Sequence, residues 1–434
     1  SEKRFKLRPE SISYVEKLTD EVNITVCANE NEFKTKSELF KQAYETIKNY
    51  QKYSSKIVVD FVDITKNPAF AKQFPNEKID VGNVIVKCGD KSRNIASSDL
   101  FDVQESEYDG VSYSSEAEQI ITAAIMFVTD KHPAQATLLG GLNNVDVKSY
   151  VDLLKRNNYA VKTQSLLNED IDKNSTIAIL PASKADLSTE QIGKLTKFLD
   201  NDGNFGKSII YATSPSGVVG PNLKAFFAEW GMEVTNDLAY ETSPQYTIFN
   251  DNYAMLNMVS DQETASKLKT DQLPLIMPDA SPVKVLFEKD GARKTTIIAN
   301  TSNTTIAVPF DAKKDFDISK QKKQSFSTIV KGTKTKIVSN KELNSNVLVI
   351  GSDTSLSEQF LLNASFNNTD IVMTATNGVT DRGDTVTILP VKFADQTISI
   401  SDGKVKGFAI VFIAIVPLVF VAIGITVWLR RRHL

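Results

Sequence analysis

The chain has 434 residues, of which 41% are hydrophobic and 24% charged, and its net charge is −3. A chain of this length exceeds what one hydrophobic core usually organises, so two or three domains are expected. The slightly acidic balance, with no basic stripe, makes nucleic acid a poor match as a partner. Cys27 and Cys88 are the only cysteines, which excludes a framework of many disulfides.

A small α/β module is predicted over residues 21–103, after a segment of residues 1–20 that we expect to lie near the membrane. Apolar runs at 23–28, 57–62 and 83–88 predict three strands, and apolar residues at helical spacing predict a helix after the first strand. A second short helix and a closing hairpin complete the order strand, helix, strand, helix, strand, strand. This βαβαββ order is typical of a thioredoxin-like module.

Redox chemistry is not expected of this module. A thiol–disulfide enzyme needs two cysteines within one turn at a helix N-terminus, and Ala28–Asn31 occupies that region. If the first and third strands are antiparallel neighbours, Cys27 and Cys88 lie near opposite ends of the sheet. Disulfide geometry requires the α-carbons within about 7 Å, so two free cysteines are favoured over a bridge.

A second, larger α/β domain is predicted over residues 115–370, joined by a polar linker of residues 104–114. After an amphipathic helix, strands alternate with helices. The strands are predicted at 136–140, 176–180 and 208–213, and the helices at 147–157, 188–199 and 222–230. This alternation predicts a doubly wound domain, a parallel sheet with helices on both faces. Further strands at 283–287, 295–299 and 347–350 are predicted without an order.

Ligands of doubly wound domains collect at the C-terminal ends of the strands, so the loops that follow the predicted strands supply the candidate ligand-binding residues. These candidates are Gly140, Gly141, Asn143, Ser183, Asp186 and Ser214. No catalytic residue, metal ligand or cofactor is assigned from the sequence.

Three sequence features are of types found in catalytic or binding sites, but none of them predicts such a site here. Gly203–Ser208 resembles a phosphate-binding loop, but its first glycine is missing and a helix precedes rather than follows it, so a helix C-cap is favoured. His132, the one histidine before the C-terminal tail, cannot form a multi-histidine zinc site and more simply belongs to an exposed loop. Carboxylates are plentiful, so a glycosidase pair is neither supported nor excluded.

The C-terminus predicts a membrane anchor. Gly407–Leu429 contains no charged residue, and at about 1.5 Å per residue such a helix crosses a hydrocarbon core of about 30 Å. Pro417 and Gly424 interrupt this run, as spanning helices tolerate. Trp428 stands where an interfacial aromatic residue is expected. We therefore predict one transmembrane helix over residues 407–429.

The charges after this helix predict its orientation. Arg430, Arg431 and Arg432 follow the span directly, so the positive-inside rule places the tail, residues 430–434, in the cytoplasm. The rest of the chain then lies outside. It includes an extended juxtamembrane segment over residues 371–406, in which residues 371–402 are predicted to form a final helix followed by extended chain leading to the membrane. Because the sequence starts at Ser1 without a signal peptide, this topology leads us to expect a further membrane helix ahead of Ser1.

Several segments together resemble bacterial proteins of the GldG family, the gliding-motility type of ABC transporter auxiliary subunit. The resemblance covers nearly the whole chain and rests on distributed motifs rather than catalytic ones. It is carried by Tyr53–Asp102, Glu118–Ile125, Ala182–Ser188, Lys197–Gly203, Phe226–Gly231 and the ending from Pro417 to Arg432.

The resemblance implies a thioredoxin-like module followed by a flavodoxin-like, glutamine-amidotransferase-like domain, held between two membrane helices. It also implies a separate ABC ATPase and an ABC-2-type permease as partners in the bacterial cytoplasmic membrane. The chain departs from the family in two places. The family's N-terminal membrane helix does not occur within residues 1–434 and is expected to precede Ser1, and Gly141–Asn144 stands where relatives often show Gly-His-x-Glu. No cysteine follows the strands of the second domain, so amidotransferase chemistry is not carried over.

Three functional hypotheses follow. The first is a non-enzymatic extracytoplasmic subunit of an ABC transporter. The second is a membrane-tethered hydrolase or amidotransferase-like enzyme that uses Ser183, Lys184, Asp186 or Ser214, with a Ser–Lys pair as nucleophile and base. The third is a cell-surface module that binds a glycan or a peptide without a transporter partner.

Overall fold

The computed structural model describes residues 7–74, 78–106, 110–130, 134–268, 273–313, 315–363 and 365–380. The helices in this part of the chain are α1 (Pro9–Val15), α2 (Glu30–Thr35), α3 (Glu38–Tyr53), α4 (Pro68–Ala71), α5 (Ala117–Thr129), α6 (Lys148–Arg156), α7 (Thr189–Asp200), α8 (Pro221–Ala228), α9 (Gln262–Lys267), α10 (Glu358–Leu361) and α11 (Asn368–Gly378).

The strands of the first half are β1 (Val22–Val26), β2 (Ile57–Phe61), β3 (Val84–Cys88), β4 (Lys91–Ile95), β5 (Phe101–Ser106), β6 (Gly110–Ser115), β7 (Ala134–Gly140), β8 (Tyr159–Ser165), β9 (Ile177–Pro181) and β10 (Ser208–Ala212). Those of the second half are β11 (Met232–Val234), β12 (Asp237–Glu241), β13 (Thr247–Ile248), β14 (Asp251–Val259), β15 (Leu275–Pro278), β16 (Val283–Val285), β17 (Lys289–Asp290), β18 (Arg293–Asn300), β19 (Thr305–Pro309), β20 (Ser327–Val338) and β21 (Lys341–Ile350). Mixed α/β architecture is therefore confirmed.

The N-terminal module is built on a four-stranded sheet in the order β2-β1-β3-β4. β1 runs parallel to β2 and antiparallel to β3, and β3 pairs antiparallel with β4. Helix α3 buries Ala43, Ile47 and Tyr50 in the core of this module, as its apolar spacing predicted. The predicted strand and helix order is confirmed.

The two cysteines lie at opposite ends of this sheet. Val26 stands opposite Val84 in the antiparallel pair of β1 and β3, so Cys27 follows one end of the ladder while Cys88 closes the other. Neither cysteine forms a disulfide, and Cys27 is buried. The preference for free cysteines over a disulfide is confirmed.

Helix α5 belongs to the N-terminal module, which corrects the domain boundary predicted at residue 115. Its side chains Ile121, Ala124 and Ile125 are buried in the same core as β1, β3 and α3. Val15 of α1 is buried there too, so part of the predicted segment 1–20 packs on the module. The predicted linker, residues 104–114, instead overlaps β5 and β6, which pair in a two-stranded sheet.

The α/β body, defined as the residues from β7 to α11, contains a sheet whose parallel part has the order β8-β7-β9-β10-β21. Numbered along the chain, these strands follow 2-1-3-4-5, the order of doubly wound flavodoxin-like sheets. The predicted parallel sheet is confirmed, and the strand expected near 347–350 joins it as the second half of β21. The sequence did not predict β8.

Helices cover both faces of this sheet. On one face, α6 and α11 bury Tyr150, Leu154, Ile371 and Val372; on the other, the core includes Phe227 of α8 together with residues of α7. Ile371 and Val372 lie in α11, so the final helix predicted to begin the segment 371–406 is present, although it starts at Asn368, before the predicted boundary. The predicted doubly wound layering is confirmed.

Antiparallel strands extend the same sheet beyond β21. The order continues β20-β18-β14-β13, and β15 and β17 pair with β14 and β18. The strand predicted at 295–299 is part of β18, whereas the one at 283–287 is β16, which pairs with β11 in a separate two-stranded sheet. Sequence patterns had left these strands without an order because their partners are distant in the chain.

Among the residues described, no helix is both long and apolar enough to cross a membrane. The predicted span over residues 407–429, its flanking Arg430–Arg432, most of the segment 371–406 and His132 lie outside the described residues. Their placement therefore stays a prediction from the sequence.

Candidate functional site

The sequence-predicted candidates lie at the C-terminal edge of the parallel strands. Gly140 ends β7, Ser183 and Asp186 follow β9, and Ser214 follows β10. The loops after β9 and β10 are in direct contact, since the Val218 amide donates to the Ser183 carbonyl oxygen at 2.8 Å. A β-carbon built on Gly217 would lie 2.7 Å from that of Ala182. The fold thus brings Ser183, Asp186 and Ser214 to one edge.

The crevice between β7 and β9, where the strand order reverses, is bridged by the chain itself. Asn144 forms an isolated β-bridge with Ser183, and its side-chain amide donates to the Pro181 carbonyl at 2.8 Å. The Val145 amide donates to the Ala182 carbonyl at 2.9 Å. Ligands of open doubly wound sheets bind at this place. Here hydrogen bonds within the chain, from one backbone amide and one side-chain amide, occupy it.

The loop after β7 is shaped by backbone requirements. Gly141 has a φ of 87°, and a β-carbon there would lie 2.6 Å from the Ser165 hydroxyl. Asn143 also adopts a left-handed conformation, with a φ of 51°, which asparagine tolerates better than most residues. Gly140 is the last strand residue. Asn144, which was not among the candidate residues predicted from the sequence, links this loop to the end of β9 through its hydrogen bond to Pro181.

The Ser–Lys pair of the enzyme hypothesis is not assembled in this structure. The Ser183 side chain is 6% exposed and its hydroxyl donates to the Ala185 carbonyl oxygen. Lys184 is exposed. A nucleophile needs its oxygen within hydrogen-bond reach of a base. The Ser183 hydroxyl instead stabilises the turn after β9 through its hydrogen bond to Ala185.

Asp186 binds the first turn of α8 rather than facing an open pocket. Its carboxylate accepts hydrogen bonds from the amides of Asn222 at 2.9 Å, Leu223 at 3.2 Å and Leu187 at 2.9 Å. A carboxylate at a helix N-terminus satisfies amides that lack partners within the helix and interacts favourably with the helix dipole. Asp186 therefore holds the loop after β9 against α8.

Ser214 lies beside Asp353, a carboxyl group that sequence reasoning missed, and a second missed carboxyl, Asp279, lies near Asp353. Burial raises the pKa of Asp353, which accepts a hydrogen bond from Ser214, and the charge of Asp279 adds to this rise. Burial likewise raises the pKa of Asp279, against the opposing effect of a hydrogen bond from Thr354 at 3.2 Å. Asp353 comes soon after the predicted strand at 347–350, so the strand-end rule, extended to that strand, would have found it.

A buried tyrosine lies close to these groups. Tyr211 is 1% exposed, and its hydroxyl has no hydrogen-bond partner among the described residues. Burial, with the charges of Asp353 and Asp186, raises the pKa of Tyr211 far above its usual value. Within the described part of the chain, no group of three or more His, Cys, Asp or Glu side chains is placed to hold a metal ion. This edge thus offers hydroxyls and protonatable carboxyls.

Comparison with known proteins adds one family match. Residues 1–101 match a family model described as a domain of unknown function, DUF7088. This match ends within β5, so it takes in α1 and all four strands of the N-terminal sheet. No curated protein matches the chain.

Two solved structures show distant likeness. One is a putative GMP synthase component from Thermoplasma acidophilum, with a TM-score of 0.25 and 14% identity over 40% of this chain and 75% of that one. The other is PurLQS from Thermotoga maritima, with a TM-score of 0.30 and 11% identity over 57% of this chain and 99% of that one. Similarity at this level carries no argument about chemistry.

Proposed function

We propose that this chain is a non-enzymatic, membrane-anchored extracytoplasmic subunit of an ABC transporter, working with a separate ATPase and an ABC-2-type permease in a bacterial cytoplasmic membrane. In this proposal the N-terminal module is thioredoxin-like and the α/β body is glutamine-amidotransferase-like. The observation that supports it best is the switch-point crevice, which Asn144, Val145 and Ser183 fill with internal hydrogen bonds.

Sequence features supply the membrane part of this proposal. The uncharged run Gly407–Leu429 followed by Arg430–Arg432 favours a C-terminal anchor with a cytoplasmic tail. The distributed resemblance to the GldG family favours a transporter partner. The strand-end side chains are used for internal contacts, as Asp186 and Ser183 illustrate, which favours a scaffold over a catalyst.

Affinity capture tests the partnership. The full chain, tagged at its N-terminus and extracted in mild detergent, should recover an ABC ATPase and a multi-span permease from its native membrane. A chain lacking residues 407–434 is the matched control and should lose the permease. Recovery of neither subunit by the full chain refutes the proposal.

Thiol labelling tests the topology in intact cells. In a background with Cys27 and Cys88 replaced by serine, the exposed position Lys322→Cys should react with an impermeant maleimide from outside. A cysteine added after Leu434 should react only after lysis. The reverse pattern would invert the chain and make an extracytoplasmic role untenable.

A hydrolase is the second candidate, favoured by one observation. Ser214 contacts Asp353, whose pKa burial raises, so a hydroxyl and a protonatable carboxyl meet at a strand end. If the purified chain shows hydrolytic activity, Ser214→Ala and Asp353→Asn should abolish it. Activity that survives both substitutions would remove this site from consideration.

A further inference from the structure

A cavity lies between the N-terminal module and the α/β body, away from the strand-end edge. Its volume is about 470 Å³. Ligand sites commonly enclose about 300–1,000 Å³ and occur preferentially at domain junctions. The wall is formed by β4 and the turn after it, by the start of α5, by one side of α6 and by α10. We call this space the intermodule cavity.

The floor of the intermodule cavity is apolar. Ile95 of β4 and Ile120 and Ala123 of α5 line it, and Leu362, just after α10, adds a further apolar side chain. Their side chains are otherwise packed in the module cores, with Ile95 3% exposed and Ile120 8% exposed. Apolar groups of a ligand would be removed from water on this floor, which is favourable in proportion to the area covered.

The rim is charged and includes both signs. Lys148, Asp152, Lys155 and Arg156 line it from α6, where spacings of three, four and eight residues place side chains on one side of a helix. Lys148 pairs with Asp152, and Lys155 lies 3.8 Å from the same carboxylate. Asp152 offsets one of these three cations, and the rim is balanced only as a whole, because Asp99, Glu116 and Glu358 also line it, together with Arg93.

Arg156 is the cation best placed to bind a ligand. Its guanidinium lies 3.4 Å from the Glu116 carboxylate, and the Arg156 side chain is 25% exposed. A guanidinium presents five N–H donors in a fixed fork, and the ion pair with Glu116 is at the long end of hydrogen-bond distance. Donors of Arg156 thus stay available for a carboxylate, which this fork can bind through two parallel hydrogen bonds.

Glu358 is the complementary anion. Among the described residues no ion pair is formed by Glu358, which is exposed at the first position of α10. Its charge adds to the larger effect of Asp152 in raising the pKa of Lys148, which locates Glu358 near the first turn of α6. Arg156 ends α6 eight residues after Lys148, which separates these two residues by about 12 Å along the helix axis at about 1.5 Å per residue.

We propose that the intermodule cavity binds a short peptide with apolar side chains and free termini. The peptide ammonium pairs with Glu358, its carboxylate with Arg156, and its side chains cover Ile95 and Ile120. Three to four extended residues span about 12 Å at about 3.3–3.6 Å each. A purely anionic ligand would face the carboxylates of the rim, and a purely apolar one would desolvate charges without pairing them. This inference is independent of the transporter role.

Calorimetric titration of the full chain in detergent with the tripeptide Leu-Ala-Leu tests the proposal. Saturable one-to-one binding is expected. Glu358→Gln should weaken it about tenfold, the usual effect of losing one charge-assisted contact. Glu342→Gln, an exposed carboxylate on β21, is the matched control and should bind as the wild type does.

The termini of the peptide provide the second arm. N-acetylated Leu-Ala-Leu should bind about tenfold more weakly to the wild type and equally weakly to Glu358→Gln, because its ammonium is gone. Leu-Ala-Leu amide should be weakened in both proteins alike, through the lost contact with Arg156. No saturation up to about 10 mM, a range that corresponds to very weak binding, or equal affinity of Glu358→Gln and the wild type, would overturn the proposal.

Discussion

Replacement of Asp186 by asparagine should destabilise the α/β body. Amides from Asn222, Leu223 and Leu187 converge on the two carboxylate oxygens at 2.9–3.2 Å. Asparagine keeps one acceptor oxygen and puts an NH2 group where the other stood. At least one amide hydrogen bond is therefore lost, together with the negative charge at the N-terminus of α8.

The structure sets the size of this effect. A hydrogen bond to a charged group contributes about 1.5–3 kcal/mol, and an anion at a helix N-terminus about 0.3–1 kcal/mol. Asp186 is half-buried, which favours the lower end of both ranges. We expect Asp186→Asn to lower the free energy of unfolding by about 2 kcal/mol. At a urea slope of about 2–3 kcal/mol per molar, the midpoint falls by about 0.7–1 M.

Urea unfolding followed by tryptophan fluorescence measures this change. Trp230 is 4% exposed and comes two residues after α8, so it reports on the affected region. The chain has two tryptophans, and Trp428→Phe leaves Trp230 as the single reporter. Asp311→Asn, an exposed carboxylate in the same body, is the control. Superimposable curves for Asp186→Asn and the wild type would refute the capping role.

Three further predictions concern single residues. Gly220→Ala places a β-carbon 2.4 Å from the Asp186 side chain and should lower the free energy of unfolding, measured by thermal melting, by about 1–3 kcal/mol. Gly193→Ala is the control, since its β-carbon would meet nothing within 4 Å, and it should not destabilise the protein. Burial raises the pKa of the Glu241 carboxyl, but hydrogen bonds from Ser302 and other donors have the larger combined effect, so the pKa is lowered overall. Glu241→Gln should therefore lower the free energy of unfolding at pH 7 by about 2 kcal/mol. Burial raises the pKa of Cys27 to about 12, so in Cys88→Ser the thiol should resist maleimide at pH 8 until denaturant is added.

Each of these predictions has a contrary outcome. Equal melting of Gly220→Ala and Gly193→Ala would mean that Asp186 moves aside freely. The contribution of Glu241 is present above its unfolded pKa of about 4.3 and is lost as the pH falls through its lower folded value. A wild-type stability that does not fall relative to Glu241→Gln between pH 5 and pH 3 would contradict it. Rapid labelling of Cys27 in the folded chain would contradict its burial.

The sequence alone determined the local elements of both modules. Apolar spacing located α3, and alternation of strands and helices located β7, β9 and β10 with the helices that cover them. Antiparallel pairing of β1 and β3 then separated the two cysteines as expected. These inferences succeed because side-chain periodicity is a local property of the chain.

Only the tertiary structure decided which module α5 belongs to and what the strand-end residues do. Helix α5 is apolar on the side of Ile121 and Ile125, but the pattern does not say which core receives that side. Asp186 was predicted to bind a ligand because it follows a buried strand. Its hydrogen-bond partners are instead backbone amides of α8, 36 and 37 residues away in the chain. Hydrogen-bond partners brought together by packing leave no periodic trace in a single sequence. The strand-end crevice and its closure by Asn144 therefore became visible only once β7 and β9 lay side by side.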